Sequence, residues 1–124
     1  IDGAAVFSTR CAACHQATGL GLPGVFPPLA GSEWVIGKEH TLAAIVLHGV
    51  NGTLTVKGKA FSGAMPAFKD RLQDAEIAAV LTHIRGVWGN RAEPVTAQAV
   101  GTVRTDTAGQ AEPYKGDADL AAMQ

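Results

Sequence analysis

Cys11-Ala12-Ala13-Cys14-His15 is the stretch around which this sequence is organised, because it contains the chain's two cysteines, followed at once by a histidine. Residues three and four apart lie on one side of a helical turn, so both thiols and the imidazole can face one ligand. C-x-x-C-H is the signature of covalent c-type haem attachment. The motif therefore predicts one haem c, bound covalently through Cys11 and Cys14, with His15 as an iron ligand.

The same two cysteines allow three other interpretations. A C-x-x-C pair also occurs as a thioredoxin-like redox centre, as half of a zinc site, or as a disulfide. A thioredoxin-like pair is expected to follow a strand, yet no strand pattern precedes Cys11. A zinc site needs further ligands at a compact spacing, whereas His40, His48 and His83 are scattered along the chain. The context favours haem attachment.

The composition indicates one small domain. The chain has 124 residues, 47% hydrophobic but only 6% aromatic, so a porphyrin would give this modest core a large apolar surface to pack against. The net charge is −1 and no basic cluster is present, which argues against nucleic-acid binding. No apolar run is long enough for a transmembrane segment, and no signal peptide is visible. Because the chain starts at Ile1 without a methionine, we expect it to be processed or excised from something longer.

Hydrophobic periodicity and capping residues predict an all-α fold with one small hairpin. Helices are predicted over residues 3–10, 41–48, 74–88 and 96–104, with a short helical turn after Ser32. The 74–88 helix carries an apolar stripe made of Ile77, Val80, Leu81, Ile84 and Trp88. Asn51-Gly52 is a turn signal, and the alternation that follows it up to Lys57-Gly58-Lys59 predicts the hairpin. Residues 105–124 show weak periodicity, and the acidic excess of residues 93–124 suggests a solvated tail. A packing strap, a linker to another domain and a partner-docking segment are the open alternatives for this extension.

Met65 is the candidate for the second iron ligand. It lies 50 residues after His15, is followed directly by Pro66, and belongs to a glycine-containing segment that we expect to be an irregular loop. Methionine is usually a flexible filler of the core, but such a loop is a poor position for a filler. A thioether opposite a histidine raises the reduction potential and closes the sixth coordination site, which favours electron transfer over ligand chemistry.

With these motifs in this order, the chain resembles the class I c-type cytochromes over roughly residues 2–104. Gly3 and Phe7, one turn apart, resemble the family's contact between its N- and C-terminal helices. The segment 27–31 resembles the family's P-x-L-x-G loop. The resemblance implies that the carbonyl of Pro27 accepts a hydrogen bond from His15 and that Leu29 lines the haem pocket. It also implies a class I cytochrome c fold, with helices around one covalent haem and the hairpin before the methionine loop.

Four further side chains could lie near the haem site, and each has its own interpretation. Trp34 is expected to close the haem crevice or to donate its indole N–H to a propionate, or else to be ordinary core. His48 is the rival of Met65 for the sixth coordination site. His83 stands where the family has an aromatic residue, and we expect it to be partly buried near the N-terminal helix. His40 is expected to face solvent.

The resulting functional hypothesis is a monohaem electron carrier without enzymatic activity of its own, formed by a haem domain at 1–92 and a C-terminal extension at 93–124. The chain is similar to the cytochrome modules of bacterial quinoprotein dehydrogenases and of cytochrome-fused copper nitrite reductases, so a domain or subunit of a larger oxidoreductase is the main alternative. A haem enzyme or ligand sensor with an open sixth site is a further one. Expected partners are redox proteins, namely a dehydrogenase, oxidase or reductase, and the expected location is the periplasm.

Overall fold

The computed structural model describes residues 1–124 and is mostly helical, with one two-stranded antiparallel sheet. The elements are α1 (Gly3–Arg10), α2 (Ala12–His15), α3 (Glu33–Ile36), α4 (Glu39–His48), β1 (Val50–Val56), β2 (Lys59–Met65), α5 (Asp74–Arg85), α6 (Ala97–Asp106) and α7 (Asp117–Leu120), then a 3₁₀ turn at Ala121–Met123. None of these helices combines the length and the apolar character needed to cross a membrane. The mainly helical prediction and the small hairpin agree with this architecture.

Helices α1 and α5 cross at a point where a glycine is required. Asp2 caps α1 by accepting hydrogen bonds from the amides of Ala4 and Ala5. A β-carbon added to Gly3 would lie 2.1 Å from the backbone carbonyl oxygen of Ala79 on α5. One turn further on, Phe7 is buried, with its ring centroid 5.9 Å from that of His83. The predicted contact between these two helices is therefore present, and His83 lies where the sequence placed it.

The apolar stripe of α5 is buried as predicted, but the helix ends earlier than expected. Ile77, Val80, Leu81 and Ile84 are all at most 5% exposed. The helix stops at Arg85 because Gly86 is its C-cap, so the predicted extension to Trp88 is wrong. Trp88 lies beyond the helix with a positive φ of 56°, and its ring packs edge-on against Phe7 at 5.1 Å between centroids.

The hairpin is present, but its turn is not at Asn51-Gly52. Those residues lie within β1, and the turn is Lys57-Gly58, where φ is +53° and +79°. Positive φ at both central residues is what a tight type I′ hairpin turn requires. The chain therefore turns at Lys57-Gly58, although Asn51-Gly52 is also a sequence pair typical of such turns. Strand β2 then runs to Met65, so the predicted irregular loop at this methionine is instead the end of a strand.

The C-terminal extension, residues 93–124, packs against the core rather than standing away from it. Val100 and Val103 of α6 are buried, and beyond them so are Tyr114 and Leu120, which are 5% and 0% exposed. Short-range periodicity does not reveal this packing, because Tyr114 lies outside the helices and Leu120 ends the four-residue helix α7, which is too short to show an apolar stripe. Of the alternatives for this extension, the structure therefore shows a packing strap, and the expectation of a solvated tail is wrong for Tyr114 and Leu120.

Arg85 joins α5 to the loop before α4 without a carboxylate partner. Its guanidinium is buried and donates to the backbone carbonyls of Val35, Gly37 and Glu93 at 2.8, 3.0 and 2.8 Å. Several carbonyl dipoles thus replace the water that the charge loses. This contact holds α3, which carries Trp34, against the core.

Candidate functional site

The C-x-x-C-H residues form a single helical turn at the mouth of an apolar cleft. Helix α2 follows α1 almost directly, and the amide of His15 donates to the carbonyl of Cys11 at 3.0 Å. Cys11, Cys14 and His15 all line the cleft and are partly exposed. Both cysteines are free thiols, so the disulfide alternative is not realised in this structure.

His15 has one ring nitrogen committed and the other free. Its Nδ1–H donates to the carbonyl oxygen of Pro27 at 3.0 Å, which orients the ring and leaves Nε2 without a partner from the protein. Burial lowers the pKa of His15, although the hydrogen bond to Pro27 opposes the shift. A neutral imidazole with an oriented, unpaired nitrogen is what a metal ligand requires.

The loop that carries Pro27 is held close to the motif by its glycines. The amide of Gly21 donates to the carbonyl of His15 at 3.0 Å, and the amide of Leu29 donates to that of Gly19 at 2.7 Å. Gly21 has a φ of 67°, and a β-carbon there would lie 2.3 Å from the carbonyl oxygen of Phe26. Such a close return of the chain is open only to glycine.

The Cys11 thiol is neutral under ordinary conditions. Burial, with a smaller contribution from the charge of Cys14, raises the pKa of the Cys11 thiol to about 11. A low-pKa, solvent-facing thiolate is the hallmark of a redox-active cysteine pair, and Cys11 is the opposite. The geometry therefore favours attachment to an apolar ligand over thioredoxin-like chemistry.

The cleft itself is wide and almost free of charge. It encloses about 1330 Å³ of space, including its opening to solvent, and most of its lining residues are apolar. Leu29, Trp34 and Met65 are among them, as are several residues of α4 and α5. Arg10 is the one lining side chain that is charged at neutral pH, apart from any charge on His15.

Met65 is brought to the same cleft by the hairpin. It ends β2, pairs with Val50 of β1, and is partly buried against the core. Across the cleft lining, the donor set is thus two thiols, one oriented imidazole and one thioether within apolar walls. These soft and neutral donors, together with a space of this size and shape, fit a covalently held haem.

Trp34 lines the cleft but does not have a free indole N–H. Its side chain is buried, and Nε1 donates to the carbonyl of Thr55 at 2.8 Å. The expectation that this N–H reaches a propionate is therefore wrong, because the hairpin already provides its acceptor. The ring helps to close the cleft, and it ties α3 to β1.

The other histidines lie away from the cleft. His48 is 5% exposed and its Nε2 lies 2.7 Å from the hydroxyl of Thr107, while its Nδ1 is buried without a partner. Burial and the positive charges of Lys69 and Arg104 lower its pKa, so it is neutral near pH 7. Since His48 points to α6, the structure argues against it as a rival of Met65. His40 is exposed beside Asp106.

Two residues near the site, Asn90 and Trp88, were not predicted from the sequence to contact the loop beside it. Asn90 is buried and bridges the loop to α5, accepting from the amide of Gly31 at 2.8 Å and donating to the carbonyls of Leu29 and Ile84. Trp88 donates to the carbonyl of Ala17 at 3.2 Å and packs on Gly19. A lone asparagine and tryptophan after a helix have no spacing that reveals such contacts.

Comparison with known proteins gives consistent results. A family model described as "Cytochrome C oxidase, cbb3-type, subunit III" matches residues 1–84. The cytochrome c-552 of Thermus thermophilus is 42% identical over 113 residues, which cover 83% of this chain and 84% of that protein. The gluconate 2-dehydrogenase cytochrome c subunit of Pantoea cypripedii is 37% identical over 124 residues, or 98% of this chain and 28% of the subunit. A quinone-dependent alcohol dehydrogenase cytochrome c subunit of Gluconobacter oxydans (strain 621H) is 42% identical over 106 residues, or 83% and 22%.

Proposed function

This chain belongs to the cytochrome c family and transfers electrons, and from that premise we propose that it carries one haem c, attached through Cys11 and Cys14 and ligated by His15 and Met65. The observation that carries the proposal is the apolar cleft that Cys11, Cys14, His15 and Met65 line together. When bound, the haem supplies the one-electron change between ferric and ferrous iron.

The protein's own residues would attach the haem, orient its histidine ligand and shield it from water. The two thiols anchor the group covalently, and the carbonyl of Pro27 holds the ring of His15 so that Nε2 is available as a ligand. The sulfur of Met65 would be the second protein ligand of the iron and would favour the reduced state, because a thioether is a soft, neutral ligand. Leu29 and Trp34 line the cleft with apolar surface, which would keep water away from the bound haem. No general base or nucleophile is needed, which supports a carrier rather than an enzyme.

A second candidate is that the chain acts as the electron-transfer domain or subunit of a larger oxidoreductase. The observation that favours it is the match to dehydrogenase cytochrome c subunits of which this chain covers about a quarter. The full-length gene decides between a free carrier and a module. In either case we propose redox proteins as partners. We also propose a periplasmic location. In the bacterial c-type cytochromes that this chain resembles, haem is attached to C-x-x-C-H outside the cytoplasm.

The direct test is the absorption spectrum of the protein after maturation with the haem-attachment machinery, recorded oxidised and then reduced. We expect sharp c-type bands in the reduced form and, in the oxidised form, the weak far-red band produced by methionine coordination to ferric haem. A c-type spectrum without the far-red band would contradict Met65 as a ligand. Absence of any haem spectrum would contradict the whole proposal.

The partner surface is expected to be apolar. Leu20, Leu22 and Val25 are 62%, 46% and 49% exposed on the loop that follows the motif, and this loop carries no charged side chain. Because screening acts only on charges, the electron self-exchange rate between oxidised and reduced protein should change less than about threefold over a tenfold change in ionic strength.

A charge placed on this loop should disturb that contact. Leu20→Lys should slow self-exchange several-fold at low salt, because two like charges then meet in the encounter complex. The control is Ile36→Lys, which adds the same charge at an apolar side chain that is 44% exposed but outside the loop and the cleft. Self-exchange can be measured from the line broadening of mixed-state NMR spectra. Equal slowing in both variants, or a steep salt dependence of the unmodified protein, would contradict an apolar docking surface.

A further inference from the structure

A short segment of the C-terminal extension adds itself to the hairpin beside Met65. The amide of Tyr114 donates to the carbonyl of Gly49 at 3.0 Å, and the amide of Asn51 donates to the carbonyl of Tyr114 at 2.8 Å. These two bonds flank Val50, which pairs with Tyr114 in parallel on one side and with Met65 on the other. The backbone that holds Met65 in register is therefore itself held from its outer edge.

The same segment is hydrogen-bonded to β1 at a second place, near the hairpin turn. The carboxylate of Asp117 accepts from the amide of Thr55 at both oxygens, at 3.0 and 3.1 Å, and from the hydroxyl of Thr55 at 2.7 Å. Thr55 is also the residue whose carbonyl accepts from the indole of Trp34. Charge-assisted bonds of this kind are about twice as strong as neutral ones. Both ends of β1 are thus tied to residues 114–117.

Between these two sets of hydrogen bonds, the segment lies directly against β1. Gly116 has a φ of 65°, and a β-carbon at this position would lie 1.9 Å from the carbonyl oxygen of Thr53. No other residue type can occupy this position without moving the segment or the strand. Residue 115 also lies close to the strand, because a β-carbon on Gly52 would lie 3.3 Å from the backbone of Lys115.

The segment is fixed to the core on its other side. Tyr114 and Leu120 are buried, and the ring of Tyr114 packs edge-on against His48 of α4 at 5.7 Å between centroids. Asp119 accepts from the amide of Lys115 at 2.7 Å, which stiffens the turn between them. A two-stranded hairpin alone is only marginally stable, so an anchored third segment matters for its position.

We propose that residues 114–117 are a clamp that positions Met65 for iron ligation by fixing both ends of β1. This inference rests on the proposed role of Met65. The clamp residues are positioning residues, because they act through the hairpin and do not line the cleft. Releasing them should let Met65 leave the iron more often while the covalent attachment and His15 remain in place.

The experiment compares four variants of the haem-loaded protein. Asp117→Ala removes the hydrogen bonds to Thr55, and Gly116→Ala forces the segment away from Thr53. Glu112→Ala and Gly109→Ala are matched controls in the same extension, since the carboxylate of Glu112 forms no hydrogen bond or ion pair and a β-carbon on Gly109 meets nothing within 4 Å.

The readouts are the far-red band of the oxidised protein, the rate at which added imidazole binds it, and the hydrogen exchange of the Thr55 and Met65 amides. We expect both clamp variants to bind imidazole about tenfold faster or more and to weaken the far-red band, because the lost bonds involve a charged group or a forced displacement. Both controls should match the unmodified protein. Faster amide exchange should be confined to the hairpin and the clamp.

A further variant, Thr96→Ala, separates a general loss of stability from a specific effect on Met65. It removes the N-cap of α6, since the hydroxyl of Thr96 accepts from the amide of Ala99 at 3.0 Å. Imidazole binding accelerated as much in Thr96→Ala as in Asp117→Ala would overturn the clamp, and so would unchanged binding in both clamp variants. Absence of the far-red band from the unmodified protein would instead overturn Met65 ligation, and the clamp with it.

Discussion

Replacement of Met65 by alanine is expected to convert a haem-loaded protein that ignores carbon monoxide into one that binds it on mixing. The thioether fills the sixth coordination site in the proposed arrangement, and a methyl group cannot. The reduction potential should fall by on the order of 0.1 V or more, because axial ligands set haem potentials over a span of roughly 0.8 V and methionine lies towards its upper end. The far-red band of the oxidised form should disappear.

The measurement is a redox titration together with a carbon monoxide binding spectrum. Met123→Ala is the matched control, because Met123 is the chain's other methionine and lies in the final 3₁₀ turn, away from the cleft. It should keep the potential and the spectrum of the unmodified protein. Met65→His should also lower the potential while keeping the sixth site closed. Carbon monoxide binding to the unmodified protein at the rate seen for Met65→Ala would contradict the assignment.

Gly3→Ala is expected to destabilise the protein far more than a single added methyl group normally does. In an unconstrained helix this change would be favourable by about 1 kcal/mol. Here the new β-carbon would lie 2.1 Å from the carbonyl oxygen of Ala79, which belongs to a helix backbone and cannot rotate away. Helices α1 and α5 must therefore separate, and we expect a cost of about 3 kcal/mol in the free energy of unfolding.

Chemical denaturation of the haem-loaded protein measures this cost. The control is Gly86→Ala at the end of α5, where the new β-carbon would lie at an ordinary 3.5 Å from the carbonyl of Thr82. That variant should stay within about 1 kcal/mol of the unmodified protein. If both substitutions cost the same, the close crossing of the two helices is not what requires glycine at position 3.

Local sequence patterns were sufficient to predict the structure wherever the contacts that decide it lie a few residues apart. The C-x-x-C-H turn is one helical turn by its own spacing, and the stripe from Ile77 to Ile84 follows from helix geometry. The resemblance to class I c-type cytochromes is confirmed by the family match and by the relatives. The assignments of Pro27, Leu29 and Met65 to the haem site stay predictions, which the cleft makes testable.

Local patterns failed where a tertiary contact decided the outcome. Lys57-Gly58 rather than Asn51-Gly52 forms the turn, because the pairing of Val50 with Met65 sets the register of the whole hairpin. Trp34 donates to Thr55 because the hairpin reaches it. His48 turns to Thr107 because α6 packs against α4. In each case the partner is at least fifteen residues away in sequence and carries no periodic signal.

The sequence by itself determined the helical class and the attachment motif, because covalent spacing and helical periodicity act over one or two turns. The crossing of α1 with α5 was predicted from the resemblance to class I c-type cytochromes and not from spacing. Only the tertiary structure decided that the C-terminal extension reaches the hairpin, since the docking of Tyr114, Gly116 and Asp117 on β1 uses backbone groups that every residue has. Backbone hydrogen bonds leave little trace in side-chain composition. The extension that looked like a tail thus supports the strand pair that ends in Met65.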